Sequence, residues 1–99
     1  CPTCGGPLVW DDLPSFDPAR IAPSEPGLWR YKAFFPLPAN HKPLTLGEGW
    51  TPLIASPGWG EHTLFKLDFL PPTGSFKDRG VALIINRFAN HGIREVADD

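Results

Sequence analysis

The clearest pattern in the 99-residue chain is the alternation in TLFKLDF, Thr63 to Phe69. Phe65, Leu67 and Phe69 fall on one side, Lys66 and Asp68 on the other. A period of two marks an extended strand with one face buried, so a strand is predicted over Thr63–Phe69. PPTG then turns the chain, and the period changes. From Ser75 to His91, Lys77, Val81, Ile84 and Phe88 line up along one face at 100° per residue. Arg79, Asn86 and Asn90 fall within about 20° of one another on the opposite side. This predicts one helix of about four turns. Ser75 serves as its N-cap, Asp78 as the capping-box partner and Gly92 as a left-handed C-cap. Ile93–Ala97 then begins a second strand. Strand, turn, helix and strand make a βαβ unit, with a parallel sheet and a right-handed crossover.

The first half has no such period. Eleven of the 13 prolines lie between Pro2 and Pro57, which breaks up any long helix or central strand. The same half holds three of the four tryptophans, with Tyr31, Phe34 and Phe35. So aromatic a segment reads as an ordered, irregular arm draped over a core, with a short helical turn around Gly27 to Phe35. Trp29, Tyr31 and Phe34 or Phe35 are expected to pack against the regular half or against further protein. The chain divides into an arm, residues 1–43, and a more regular part, residues 44–99.

Composition narrows the function. A net charge of −2 with no basic block points away from nucleic acid and from an anionic membrane surface. No apolar run approaches the roughly 18–20 residues that span a bilayer. The Cys1 start and the closing ADD read as the edges of a fragment. Reduced thiols in a cytoplasm are the default for so few cysteines.

Lys77 is the residue that needs explaining. It sits in the first helical turn, where the positive end of the helix macrodipole disfavours a cation. Its phase places it at the head of the core-facing stripe, aimed at the carboxyl end of the preceding strand, where open α/β sheets hold ligands. On pattern alone, a lysine snorkelling from the helix end to solvent serves as well. The chemistry points the other way. Desolvation and the helix end both favour the neutral amine, which imine formation with a carbonyl cofactor requires. Thr73, Gly74 and Ser75 leave room for a cofactor close to the backbone, and Phe76 offers it a flat apolar surface.

LFKLDFLPPTGSFKDRG closely resembles the lysine motif of fold-type II pyridoxal-phosphate enzymes. LGEGWTPLI is similar to the GEG-x-TPL segment of the threonine synthase family, and GLWRY and CPTCGGPL resemble that family's N-terminal arm. The resemblance implies an α/β, tryptophan synthase beta-like fold, present here in part, with residues 44–99 the start of its catalytic domain. It implies pyridoxal 5'-phosphate held by Lys77 as an imine, with Phe76 flanking the ring and Ser75 capping the helix. It implies a lyase-type reaction on a small amino-acid phosphate, O-phosphohomoserine, and a homodimeric full-length enzyme. Arg79 is read as structural or inter-subunit. For Glu48, Gly49 and Thr51 the plain reading is a turn leading into a strand. The resemblance also implies that the cofactor-phosphate loop and the substrate ligands follow Asp99, so that these residues alone are inactive. A threonine or serine dehydratase of the same fold type is the nearer alternative; a non-catalytic zinc-ribbon or interaction module is the other.

That last alternative rests on CPTCGG. Cys1 and Cys4 have metal-knuckle spacing, and Gly5 lets backbone N–H groups approach the sulfurs. A structural zinc wants four ligands, and His41, His62 and His91 show no finger-like spacing with the pair. Cys1 and Cys4 are therefore half of a zinc site at most, or a plain turn.

Overall fold

The computed structural model describes residues 1–97; Asp98 and Asp99, the end of the expected catalytic segment, lie outside the described residues. In chain order it contains 3-10 helices at Pro18–Arg20 and Gly27–Phe34, strand β1 (Leu53–Ala55), a 3-10 turn at Pro57–Trp59, strand β2 (Leu64–Lys66) and helix α1 (Asp78–Asn90).

The two strands pair antiparallel, Leu53 opposite Lys66, Ile54 opposite Phe65 and Ala55 opposite Leu64. Ser56 N–H to the Thr63 carbonyl (2.9 Å) and Leu67 N–H to the Pro52 carbonyl (2.9 Å) extend the ladder at both ends. Between the strands, Pro57–Trp59 and Gly60, at φ 127°, reverse the chain. Trp59 meets Phe65 edge-on, ring centres 5.9 Å apart. The strand expected over Thr63–Phe69 stops at Lys66 because the backbone turns there. Asp68 N–H donates to the Lys66 carbonyl (2.9 Å) and Leu70 N–H to that of Leu67 (3.1 Å). Every strand residue is exposed, Phe65 included, so the alternation does not mark a buried face.

The expected βαβ unit is replaced, among the described residues, by this hairpin followed by a helix. Ile93–Ala97 is irregular. Among the described residues β2 pairs with β1 alone, and no ladder bond joins its other edge to Ile93–Ala97.

α1 begins at Asp78, three residues later than the pattern predicts, with Lys77 at the N-cap and no side-chain cap. The reason lies in the turn before it. The Ser75 hydroxyl accepts from Lys77 N–H (3.2 Å), closing a local turn instead of a helical one. The Asp78 carboxylate accepts from Thr73 N–H (2.8 Å) and the Thr73 hydroxyl (2.5 Å), not from Ser75. The helix then runs unbroken through Gly80. Gly92, at φ 75°, ends it with bonds from Gly92 N–H to Ala89 and from Ile93 N–H to Phe88, both 3.0 Å. This is a Schellman closure, which only a residue at ease in the left-handed region makes cheaply.

The face that α1 docks is the reverse of the one expected. Asp78, Ala82 and Asn86 are its buried residues, while Val81 and Ile84 are 43% and 50% exposed. The polar stripe faces the arm. Asn86, fully buried, donates to the Leu44 carbonyl and accepts from Leu44 N–H, both 2.7 Å. It also donates to the Ala82 carbonyl (2.7 Å) and accepts from His41 Nε2 (2.6 Å). His41 Nδ1 reaches Asn90 (3.2 Å). A strandless arm has unpaired backbone groups, and an asparagine amide satisfies a donor and an acceptor together.

Trp29 anchors the arm at 2% exposure, with Phe35 edge-on at 5.9 Å and His41 at 6.4 Å. Phe34 packs on Phe16 instead, and Tyr31 stays exposed.

Candidate active site

The site grows from the turn that joins β2 to α1. Gly74, at φ 78°, leaves its flank open, with Phe69 O at 3.9 Å the nearest atom to where a Cβ would stand. Lys77 follows at the helix N-cap, and its side chain is exposed. Among the described residues its Nζ takes part in no ion pair. It keeps its place at the head of the stripe with Val81 and Ile84, but that stripe is open instead of buried, so Lys77 does not point into a core. The desolvation expected for it is not supplied by the described residues. Phe76, 65% exposed, stands beside it, and Ser75 holds the Lys77 amide instead of capping α1.

Both residues that follow Lys77 are pinned to the preceding chain. Asp78 holds Thr73, as described. Arg79 makes a two-pronged ion pair with Asp68, Nη1 to Oδ2 at 2.9 Å and Nη2 to Oδ1 at 2.8 Å. Its Nη2 also donates to the Thr51 hydroxyl (2.9 Å), which in turn donates to Asp68 Oδ1 (2.7 Å). Lys66 Nζ donates to the Thr51 carbonyl. The Arg79 hydrogen bonds, with that of Thr51, hold the Asp68 carboxyl below its ordinary range, and the same contact raises Arg79. Arg79 is thus structural within this chain. Its phase opposite Lys77 was legible in the sequence; its partners, 11 and 28 residues away, were not.

The GEGW segment is built tightly. Glu48 is buried, its carboxylate accepting from the Thr45 hydroxyl (2.5 Å) and Leu46 N–H (2.9 Å). Burial pushes this carboxyl up, but those bonds, with the nearby Trp29 N–H, outweigh it and leave it lowered. The indole N–H itself meets no partner at hydrogen-bond geometry. Gly47, Gly49 and Trp50 all have positive φ (93°, 95° and 51°). The Glu48 carbonyl accepts from Leu28 N–H (2.7 Å), so GLWRY and GEGW lie backbone to backbone. Beyond the plain turn expected at Glu48 and Gly49, this segment is the seat of the arm.

A cavity of about 380 Å³ opens between this segment and α1, lined by Leu44, Leu46, Glu48, Asp78, Val81 and Ile85 among others. At the far end of the chain, Cys1 and Cys4 are free and exposed. Gly5 N–H donates to the Cys1 carbonyl (2.9 Å), not to a sulfur. Among the described residues no third His, Cys, Asp or Glu joins them. None of the described helices is long and apolar enough to cross a membrane.

An exposed lysine amine at a helix start, with an open glycine turn on one side and an apolar stripe on the other, fits a carbonyl cofactor that approaches the backbone. Residues 44–99, more than half of the chain, match the pyridoxal-phosphate dependent enzyme family, and the chain belongs to it. Pyridoxal phosphate is therefore its cofactor. Curated proteins it is similar to include threonine synthases from several organisms. The one from Halalkalibacterium halodurans is 41% identical over 73 residues, 70% of this chain and 21% of the relative. That from Mycobacterium leprae is 41% identical over 70 residues, 67% and 19% respectively. That from Methanosarcina acetivorans is 32% identical over 105 aligned positions, 98% of this chain and 25% of the relative. The chain thus spans about a fifth to a quarter of the relatives it matches. No solved structure matches it.

Proposed function

We propose that the polypeptide carrying this chain is a lyase of the threonine synthase type, converting O-phosphohomoserine and water to threonine and phosphate. The observation that carries this reading is the similarity to threonine synthases, which extends through the arm in the Methanosarcina acetivorans relative. Residues 1–43 are the arm and 44–99 the opening of the catalytic domain, inactive without the rest.

When bound, pyridoxal phosphate supplies an electron sink for negative charge developing on the substrate carbons. The chain's own residues do the rest. Lys77 Nζ would hold the cofactor at its carbonyl group and would move a proton at the substrate carbon that bears the amine. Phe76 would flank the cofactor ring, and Ser75, which accepts from the Lys77 amide, would fix the backbone from which the amine reaches.

The test is an assay of the full-length protein with pyridoxal phosphate. Phosphate and threonine should form in equal amounts from O-phosphohomoserine, and Lys77→Ala should abolish both. Ammonia and 2-oxobutanoate from threonine, with no phosphate from O-phosphohomoserine, would make the protein a dehydratase instead.

A further inference from the structure

We infer that Asp68, Arg79 and Thr51 form a positioning clamp that sets the direction of α1 and with it the reach of the Lys77 amine; this rests on the role given to Lys77 above. Besides the Asp78–Thr73 bonds inside the lysine turn itself, two groups of polar attachments join α1 to more distant parts of the chain, one at Arg79 and one around Asn86, where Arg87 and Asn90 also reach Pro36 and His41. Asn86 binds His41 at the end of the arm and Leu44 just beyond it, and Arg79 binds the chain around the hairpin at Asp68 and Thr51. The two lie seven residues apart, about 10 Å along the axis, and two separated anchors fix a direction where one fixes only a pivot. Lys77 lies just beyond the Arg79 anchor. With Arg79 freed, a tilt of about 5° around Asn86 carries the head of the helix about 1 Å, since nine residues separate Lys77 from the pivot.

The arrangement suits positioning better than stability. The Arg79 and Asp68 side chains are 27% and 38% exposed, and ion pairs so open to water contribute little to folding. The geometry is nonetheless demanding. Both guanidinium nitrogens engage both carboxylate oxygens, and Thr51 bridges the pair from a buried position. A planar fork restricts orientation as a point charge does not. Displacements of about 1 Å at a reacting group cost up to about a hundredfold in rate.

The experiment uses the full-length enzyme loaded with pyridoxal phosphate and compares Asp68→Asn, Arg79→Gln, Arg79→Lys and Thr51→Val. The first three should lower kcat about tenfold or more, change KM less than threefold and shift the pH midpoint of the bound cofactor's visible absorption. Arg79→Lys should not rescue, because an ammonium cannot reproduce the fork. The double variant Asp68→Asn/Arg79→Gln should be no worse than either single one, as for residues acting as a unit. Wild-type kcat and spectra in folded variants, a change confined to KM, or full rescue by Arg79→Lys would overturn the clamp. If the charge variants do not fold, Thr51→Val, which keeps the side-chain volume, decides. A threefold or larger loss in kcat with the same spectral shift supports the clamp, and wild-type values overturn it. Borohydride reduction of the wild-type enzyme separates the two levels. Cofactor on Lys77 with indifferent clamp variants removes this inference alone, whereas cofactor on another lysine removes the assignment beneath it.

Discussion

Gly27 and Gly49 show how much of this chain turns on single residues. A Cβ on Gly27 would stand 2.1 Å from the Glu48 carbonyl oxygen, and one on Gly49 2.6 Å from the Leu28 nitrogen. Both also have positive φ, 55° and 95°. Alanine at either position combines backbone strain with a backbone clash, a cost on the order of 2 kcal/mol or more. Gly47, at φ 93° with open space around it, carries the strain alone. Thermal unfolding should therefore rank Gly27→Ala and Gly49→Ala well below Gly47→Ala; equal midpoints would mean that the two segments do not touch. Glu48 and Asp68 give a second test at this scale. Both titrate below their ordinary values of 4.5 and 3.8 in the folded chain. Their stabilisation is therefore complete above those values and lost as the pH falls through the lowered ones. The melting temperature should hold down to about pH 5 and then fall, with a shallower fall in Glu48→Gln. An unchanged slope in that variant would remove Glu48 from the account.

Helix α1 divides what the sequence makes legible from what it hides. Its period and its Gly92 closure are local, and both stand in the structure. Its docked face is not local, because hydrophobic phase shows which side is apolar, not what lies opposite. Here the opposing surface is an arm with unpaired backbone groups, and Asn86 meets it better than Val81 or Ile84 would. Asn86→Ala removes two part-buried hydrogen bonds from the Leu44 N–H and C=O, each worth roughly 0.5–1.5 kcal/mol. Hydrogen exchange at the Leu44 amide should accelerate about tenfold or more, at 1.4 kcal/mol per decade. Unchanged exchange would show that the arm is held elsewhere. The hairpin was hidden for the same reason: LIA carries no mark of its pairing with LFK across Ser56–Thr63. The lysine turn was legible because PTGSFKDRG is contiguous, whereas the Asp68–Arg79–Thr51 contact joins three separate stretches.

As a whole, the chain exposes more surface than a self-sufficient globule. It presents 7878 Å² to solvent, where a compact monomer of this mass presents roughly 5,600 Å². Its radius of gyration is 16.5 Å, against about 13 Å for a compact domain of this length. The excess includes the Val81 and Ile84 face below Lys77 and the hairpin residues Leu53, Ile54 and Leu64. Among the described residues the buried apolar core is small, with Trp29 and Ala82 its members besides Pro71. So small a core leaves much of the docking of α1 to polar contacts, those of Asn86 and Arg79 among them. The role of Lys77 is most directly tested by reducing the full-length enzyme with borohydride in the presence of pyridoxal phosphate and mapping the labelled peptide. The expected result is one modified residue, Lys77, with labelling lost in Lys77→Ala. Modification of Lys66, Lys32 or Lys42 with Lys77 intact would contradict it.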